Sequence, residues 1–76
     1  MDIYSHIINK WARDYIGNTV DETKILMERD FPEHKMHVIQ VEEEDPDYSQ
    51  KFFKPPIKNI LQVIEYKGTI VDAKVY

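Results

Sequence analysis

Met36-His37-Val38-Ile39-Gln40-Val41 and Ile60-Leu61-Gln62-Val63-Ile64-Glu65-Tyr66 are the two most strand-like stretches of this chain, and the run from Glu42 to Lys58 lies between them. Both are rich in β-branched residues, the first with partial alternation and the second more uniformly apolar. The intervening run is too long for a hairpin and carries three prolines, five acids and a Phe-Phe pair. A parallel pair needs such a length, because the chain must travel back along the sheet before it can re-enter it. Connections beyond roughly 12 to 15 residues without regular structure are usually functional or disordered. The loop is therefore read as a crossing between parallel strands and as the first place to look for function.

Outward from this centre, Tyr66-Lys67-Gly68-Thr69 reads as a turn. Thr69-Ile70-Val71, running into Ala73-Lys74-Val75-Tyr76, reads as a short third strand or extended edge. Before the first strand, Thr19-Val20-Asp21-Glu22 matches a capping box, in which Thr19 and Glu22 satisfy each other's backbone amides. Val20, Thr23, Leu26 and Met27 share one helical face, and Lys24 and Glu28 form an i, i+4 pair on another. An amphipathic helix of about three turns is expected there, closed by Pro32. From Tyr4 to Tyr15 the residues Tyr4, Ile7, Ile8, Trp11 and Tyr15 follow helical spacing, which predicts an N-terminal helix or arm over residues 1–15. Its apolar face is expected to fold back on the core, and Ile16-Gly17-Asn18 to turn the chain.

The expected fold is a single α+β domain over residues 1–76, in which one amphipathic helix packs on a small mixed sheet with a parallel central strand pair and a long exposed crossing loop. At 76 residues the chain is near the lower limit for an unstapled core. The absence of cysteine rules out disulfides and thiolate chemistry. A net charge of −4 and scattered lysines argue against nucleic acid as a partner. No apolar run reaches membrane-spanning length, and Met1-Asp2-Ile3-Tyr4-Ser5-His6 lacks the pattern of a signal peptide. These features leave the compartment open while favouring the cytoplasm, and no membrane partner is expected.

No catalytic constellation is visible, and the chain is not read as an enzyme. Ser5, His6 and Ser49 lack the acid and base partners that activate a nucleophile. His34 and His37, with Glu33, suggest a metal only superficially, since residues three apart on a strand face opposite sides. Glu42 to Asp45 lack the spacing and glycine of a calcium loop. No metal or cofactor is expected.

Several of these pieces together resemble the potato inhibitor I family of serine protease inhibitors, which includes eglin. They are Trp11, Ile16-Gly17-Asn18-Thr19-Val20-Asp21-Glu22-Thr23-Lys24, Asp30-Phe31-Pro32-Glu33, Met36 to Val41, Ile60 to Glu65 and Gly68-Thr69-Ile70-Val71. The resemblance implies a disulfide-free scaffold presenting a substrate-like reactive loop, here Gln50, Lys51, Phe52, Phe53, Lys54 and Pro55. It places the primary specificity residue at Phe53, or at Phe52 if the register is offset by one, facing a chymotrypsin-like or subtilisin-like enzyme. Lys51 and Lys54 offer a trypsin-like alternative.

This chain differs from the family in its loop. The stretch before Phe53 is longer by about six residues and includes Glu42 to Asp47, and longer loops are harder to hold rigid. The family braces its loop with arginines from the strand behind, paired with an acidic residue after the scissile bond. Asn59, Leu61 and Lys54 stand at the matching positions, and Gln62 stands where the family prefers an apolar residue. Pro55-Pro56, which fixes two φ angles, and Phe52 packed on Leu61 are the expected substitutes for the brace, with Pro56, Asn59 and Leu61 as loop support. The alternative function is a noninhibitory interaction module or small subunit, binding another protein through the acidic loop or the N-terminal apolar face.

Overall fold

The computed structural model describes residues 10–76. Tyr4, Ile7, Ile8, Ser5 and His6 lie outside the described residues. The elements used below are helix α1 (Val20–Asp30) and strands β1 (Lys35–Val41), β2 (Ile60–Tyr66) and β3 (Thr69–Val75). The sheet order is β1-β2-β3, with β1 parallel to β2 and β2 antiparallel to β3. The α+β architecture and the parallel pairing across the long loop are thus as expected.

Helix α1 starts where the capping box places it. The Thr19 hydroxyl accepts from the Glu22 N–H at 3.1 Å, and the Glu22 carboxylate accepts from the Thr19 N–H at 3.2 Å. The helix buries Thr23 and Met27 and half-buries Val20 and Leu26. These meet Leu61 and Val63 of β2, Met36 and Val38 of β1, and Ile70, Ala73 and Val75 of β3 in one core.

Strand β3 reaches that core by a break in its alternation. Gln62 pairs with Lys74 and Ile64 with Asp72, but Glu65 pairs with Ile70, so one extra residue is accommodated beside Ile64 and Glu65. Such a bulge reverses which face the residues beyond it occupy. Ile70, Ala73 and Val75 can then all be buried in the same cluster although Ile70 and Ala73 are three positions apart. The β2–β3 turn is tight because Lys67 and Gly68 both take positive φ, +51° and +84°, the backbone demanded by a two-residue hairpin of right-handed twist.

Residues 10–12 are helical and tighten into a 3-10 turn at Arg13–Tyr15. Here the expected face shifts. Ala12 and Tyr15 are buried, whereas Trp11 is 56% exposed, because three residues per turn align positions i and i+3 and turn Trp11 outward. The chain then passes along the free edge of β3. Gly17 N–H donates to the Ile70 carbonyl and Ile70 N–H to the Asn18 carbonyl, both at 2.8 Å. Part of that edge is thereby covered against pairing with another chain.

Candidate functional site: the crossing loop

Strand β2 is buried on both sides. Leu61 and Val63 face the helix, so Ile60, Gln62 and Ile64 point to the other face by strand alternation. All three are nonetheless buried, Gln62 and Ile64 at 0% exposure. On that side the crossing loop meets the strand at Gln62, which bonds to the backbone of Phe53.

The loop leaves β1 through exposed Glu42, Glu43 and Glu44 and is then tied to itself. Asp45 N–H donates to the Tyr48 hydroxyl at 3.1 Å, and Asp47 N–H donates to the Asp45 carboxylate at 2.9 Å. Asp47 caps a 3-10 turn at Tyr48–Lys51 by accepting from Ser49 Oγ at 2.6 Å and Ser49 N–H at 3.0 Å. The Ser49 hydroxyl, followed by its N–H, holds the Asp47 carboxyl below the usual carboxylate range. These are the local side-chain bonds by which Asp and Ser compete with regular structure. Gln50 and Lys51, expected in a substrate-like loop, therefore sit in a 3-10 turn and are not extended.

Phe52 closes that turn, with its N–H 3.4 Å from the Ser49 carbonyl and extended dihedrals of −70° and 147°. Phe53 follows and is anchored twice by one side chain. Its N–H donates to Gln62 Oε1 at 3.2 Å, and Gln62 Nε2 donates to its carbonyl at 2.7 Å. Phe53 offers one donor and one acceptor, so the glutamine amide has one orientation that satisfies both. Phe53 is 52% exposed, and its ring meets His37 edge-on at 5.2 Å between centroids. His37 is the register partner of Gln62 on β1. Strand pairing thus sets both contacts side by side.

Burial and anchoring depend on each other here. A primary amide without partners costs about 1 to 3 kcal/mol to bury, while each bond made contributes about 0.5 to 1.5 kcal/mol net. Gln62 is tolerable in the sheet only with the loop across it, and the loop is fixed at Phe53 only because Gln62 is there.

The other expected supports are distributed differently. Leu61 is fully buried in the helix-side core and points away from the loop, so it neither braces Phe53 nor receives Phe52. Its neighbour Gln62 has that place because adjacent strand residues face opposite sides. Asn59 contributes through its backbone. At φ +63° its carbonyl accepts from Lys35 N–H at 2.9 Å and its N–H donates to the Tyr76 carbonyl at 3.1 Å. It fixes the point at which the loop rejoins the sheet. Lys54 and Pro56 are exposed and Pro55 half-buried.

Residues flagged for other chemistry are not brought together. His34 packs on Phe31 at 5.4 Å and His37 on Phe53, and burial lowers the pKa of His34. Among the described residues no group of three or more acidic or histidine side chains is arranged to hold a metal ion. No described helix is long and apolar enough to cross a membrane. An open hollow of about 610 Å³ is lined by Trp11, Leu26, Tyr15 and Asp30, and the Tyr15 hydroxyl donates to the Asp30 carboxylate at 3.0 Å.

No family model, curated protein or solved structure matches the chain.

Proposed function

We propose that this protein is a serine protease inhibitor that offers the segment Gln50 to Pro55, centred on the Phe52-Phe53 pair, to a chymotrypsin-like or subtilisin-like enzyme. The observation that carries the reading is the double hydrogen bond from buried Gln62 to the backbone of half-exposed Phe53. A segment fixed before binding loses little entropy on association. An exposed aromatic side chain on such a segment is the kind of anchor that dominates an interface. Pro55 and Pro56 limit the backbone on the far side of the anchor.

The test is titration of chymotrypsin, subtilisin and trypsin with the purified protein. The first two should be inhibited stoichiometrically at micromolar concentration or below, and trypsin much less. Inhibition of none of them would refute the reading.

A second reading has one observation in its favour. Trp11 is half-exposed beside an open hollow, which suits a noninhibitory module that docks a partner on its N-terminal side. It predicts that Trp11→Ala abolishes partner binding and leaves protease titrations unchanged.

A further inference from the structure

We propose that the outer edge of β1 pairs with the same edge of a second copy of this chain, joining two three-stranded sheets into one continuous sheet. The inference does not depend on the inhibitor reading. It starts from an asymmetry between the two edges. The β2–β3 ladder is interrupted by the bulge beside Ile64 and Glu65, and the free edge of β3 is partly covered by Gly17 and Asn18. Strand β1 has neither protection. Its register against β2 is unbroken from Lys35 to Val41, it contains no proline, and its single lysine stands at its first position. An edge without such devices is a template for another strand.

The backbone groups that would be used can be named. Lys35 N–H donates to the Asn59 carbonyl at 2.9 Å. By strand alternation the backbone groups of Lys35, His37, Ile39 and Val41 therefore face β2, and those of Met36, Val38 and Gln40 face outward. Among the described residues no hydrogen bond outside the sheet reaches the backbone of these three.

Charge decides the occupant and its direction. At the start of the edge, Lys24 and Lys35 line a hollow of about 360 Å³ together with the apolar side chains of Val20, Met27, Met36 and Val38. At its end stand Glu42, Glu43 and Glu44, all exposed. None of these lysines and glutamates is in an ion pair among the described residues. Antiparallel pairing of two copies lays the lysines of each beside the glutamates of the other, at both ends of the contact. A parallel arrangement would set Lys35 on Lys35 and glutamate on glutamate. The edge is thus complementary to itself, as a twofold interface requires.

A twofold axis at Val38 is the register that matches the whole of β1 with itself. Val38 then opposes Val38 of the second copy, and Met36 opposes its Gln40, so each outward N–H meets an outward carbonyl. Lys35 opposes Val41, next to the glutamates that follow it. Val38 packs on the helix-side core, so its pairing with itself carries the apolar face across the axis.

Sedimentation equilibrium and amide hydrogen exchange of the full chain, followed to concentrations of about 1 mM, test the proposal. The apparent mass should rise from 9.1 kDa towards twice that value. Over the same range the amides of Met36, Val38 and Gln40 should slow by about tenfold or more, while those of His37 and Ile39, already bonded in the sheet, change little. Gln40→Pro removes only an outward N–H, so it should keep the circular dichroism spectrum of the folded chain and lose the mass increase. Lys35→Glu and Glu43→Lys should each weaken self-association by about fivefold, whereas the two variants mixed should pair with one another, because both ends then join opposite charges. A mass of 9.1 kDa at every concentration would overturn the proposal. So would a dimer whose Met36, Val38 and Gln40 amides still exchange fast, since its interface would lie elsewhere. A monomer that inhibits proteases would refute the pairing alone, and a dimer that inhibits none would refute the inhibitor reading alone.

Discussion

Gln62 and Phe53, nine positions apart, are joined by two hydrogen bonds of 2.7 and 3.2 Å between a buried side-chain amide and the backbone of an exposed loop residue. The pair connects the centre of the sheet to the surface segment on which the function is proposed to depend. Its energetic consequences are separable from any protease.

Replacing Gln62 by Ala should remove both bonds and open a cavity under the loop, at a cost of about 2 to 4 kcal/mol in urea denaturation. Gln62→Leu should be much milder, within about 1 kcal/mol of wild type, because the Phe53 groups can turn to water while an apolar side chain fills the space. In both variants, hydrogen exchange of the Phe53 amide should accelerate more than that of the β2 amides.

Thr19→Ala should destabilise the fold by about 1 kcal/mol, since the first turn of α1 loses one half of its capping box. Thr19→Asp should recover most of the loss, because a carboxylate can accept the same N–H and also suits the helix dipole. Thermal unfolding followed by circular dichroism is sufficient to measure both.

The Lys67-Gly68 turn is built on two positive φ angles, one of them at a residue with a side chain. Lys67→Asn should stabilise the protein by about 0.5 kcal/mol, because asparagine tolerates that conformation better. Gly68→Ala should cost about 1 kcal/mol, purely from backbone strain, as open space surrounds the site of the added methyl group.

Tyr15 and Asp30 predict opposite ends of the pH profile. The Arg29 guanidinium first, and then the Tyr15 hydroxyl, hold the Asp30 carboxyl below the usual range. Its stabilising contribution is complete above the unfolded carboxylate pKa and is lost as pH falls through the lower native value. Burial, reinforced by the bond to Asp30, raises the Tyr15 phenol. That contribution is complete below the unfolded phenol value of about 10 and is lost as the pH rises above it. Asp30→Asn should therefore flatten the acid limb of a Tm-against-pH curve, and Tyr15→Phe the alkaline limb.

The framework was legible in the chain because its signals are local. Thr19 and Glu22 are three residues apart, Lys67-Gly68 turns between adjacent strands, and the run from Glu42 to Lys58 is too long for anything but a crossing. The outward rotation of Trp11 was not legible, since it follows from a tightening of the helix end that no residue type announces. Nor was the bulge beside Ile64 and Glu65, without which Ile70 and Ala73 could not share a core.

Gln62 marks the division most clearly. In the sequence it is a polar residue interrupting an apolar strand, which signals only that something unusual lies opposite. Its partner is supplied by a crossing loop whose path depends on the whole sheet being formed, and hydrogen bonds between segments leave no periodicity behind. Local capping, turn chemistry and strand length thus set the helix, the sheet and the need for a crossing. Only the tertiary structure decided that the loop lies across the second face of β2, because only there can a buried amide and an extended backbone satisfy one another.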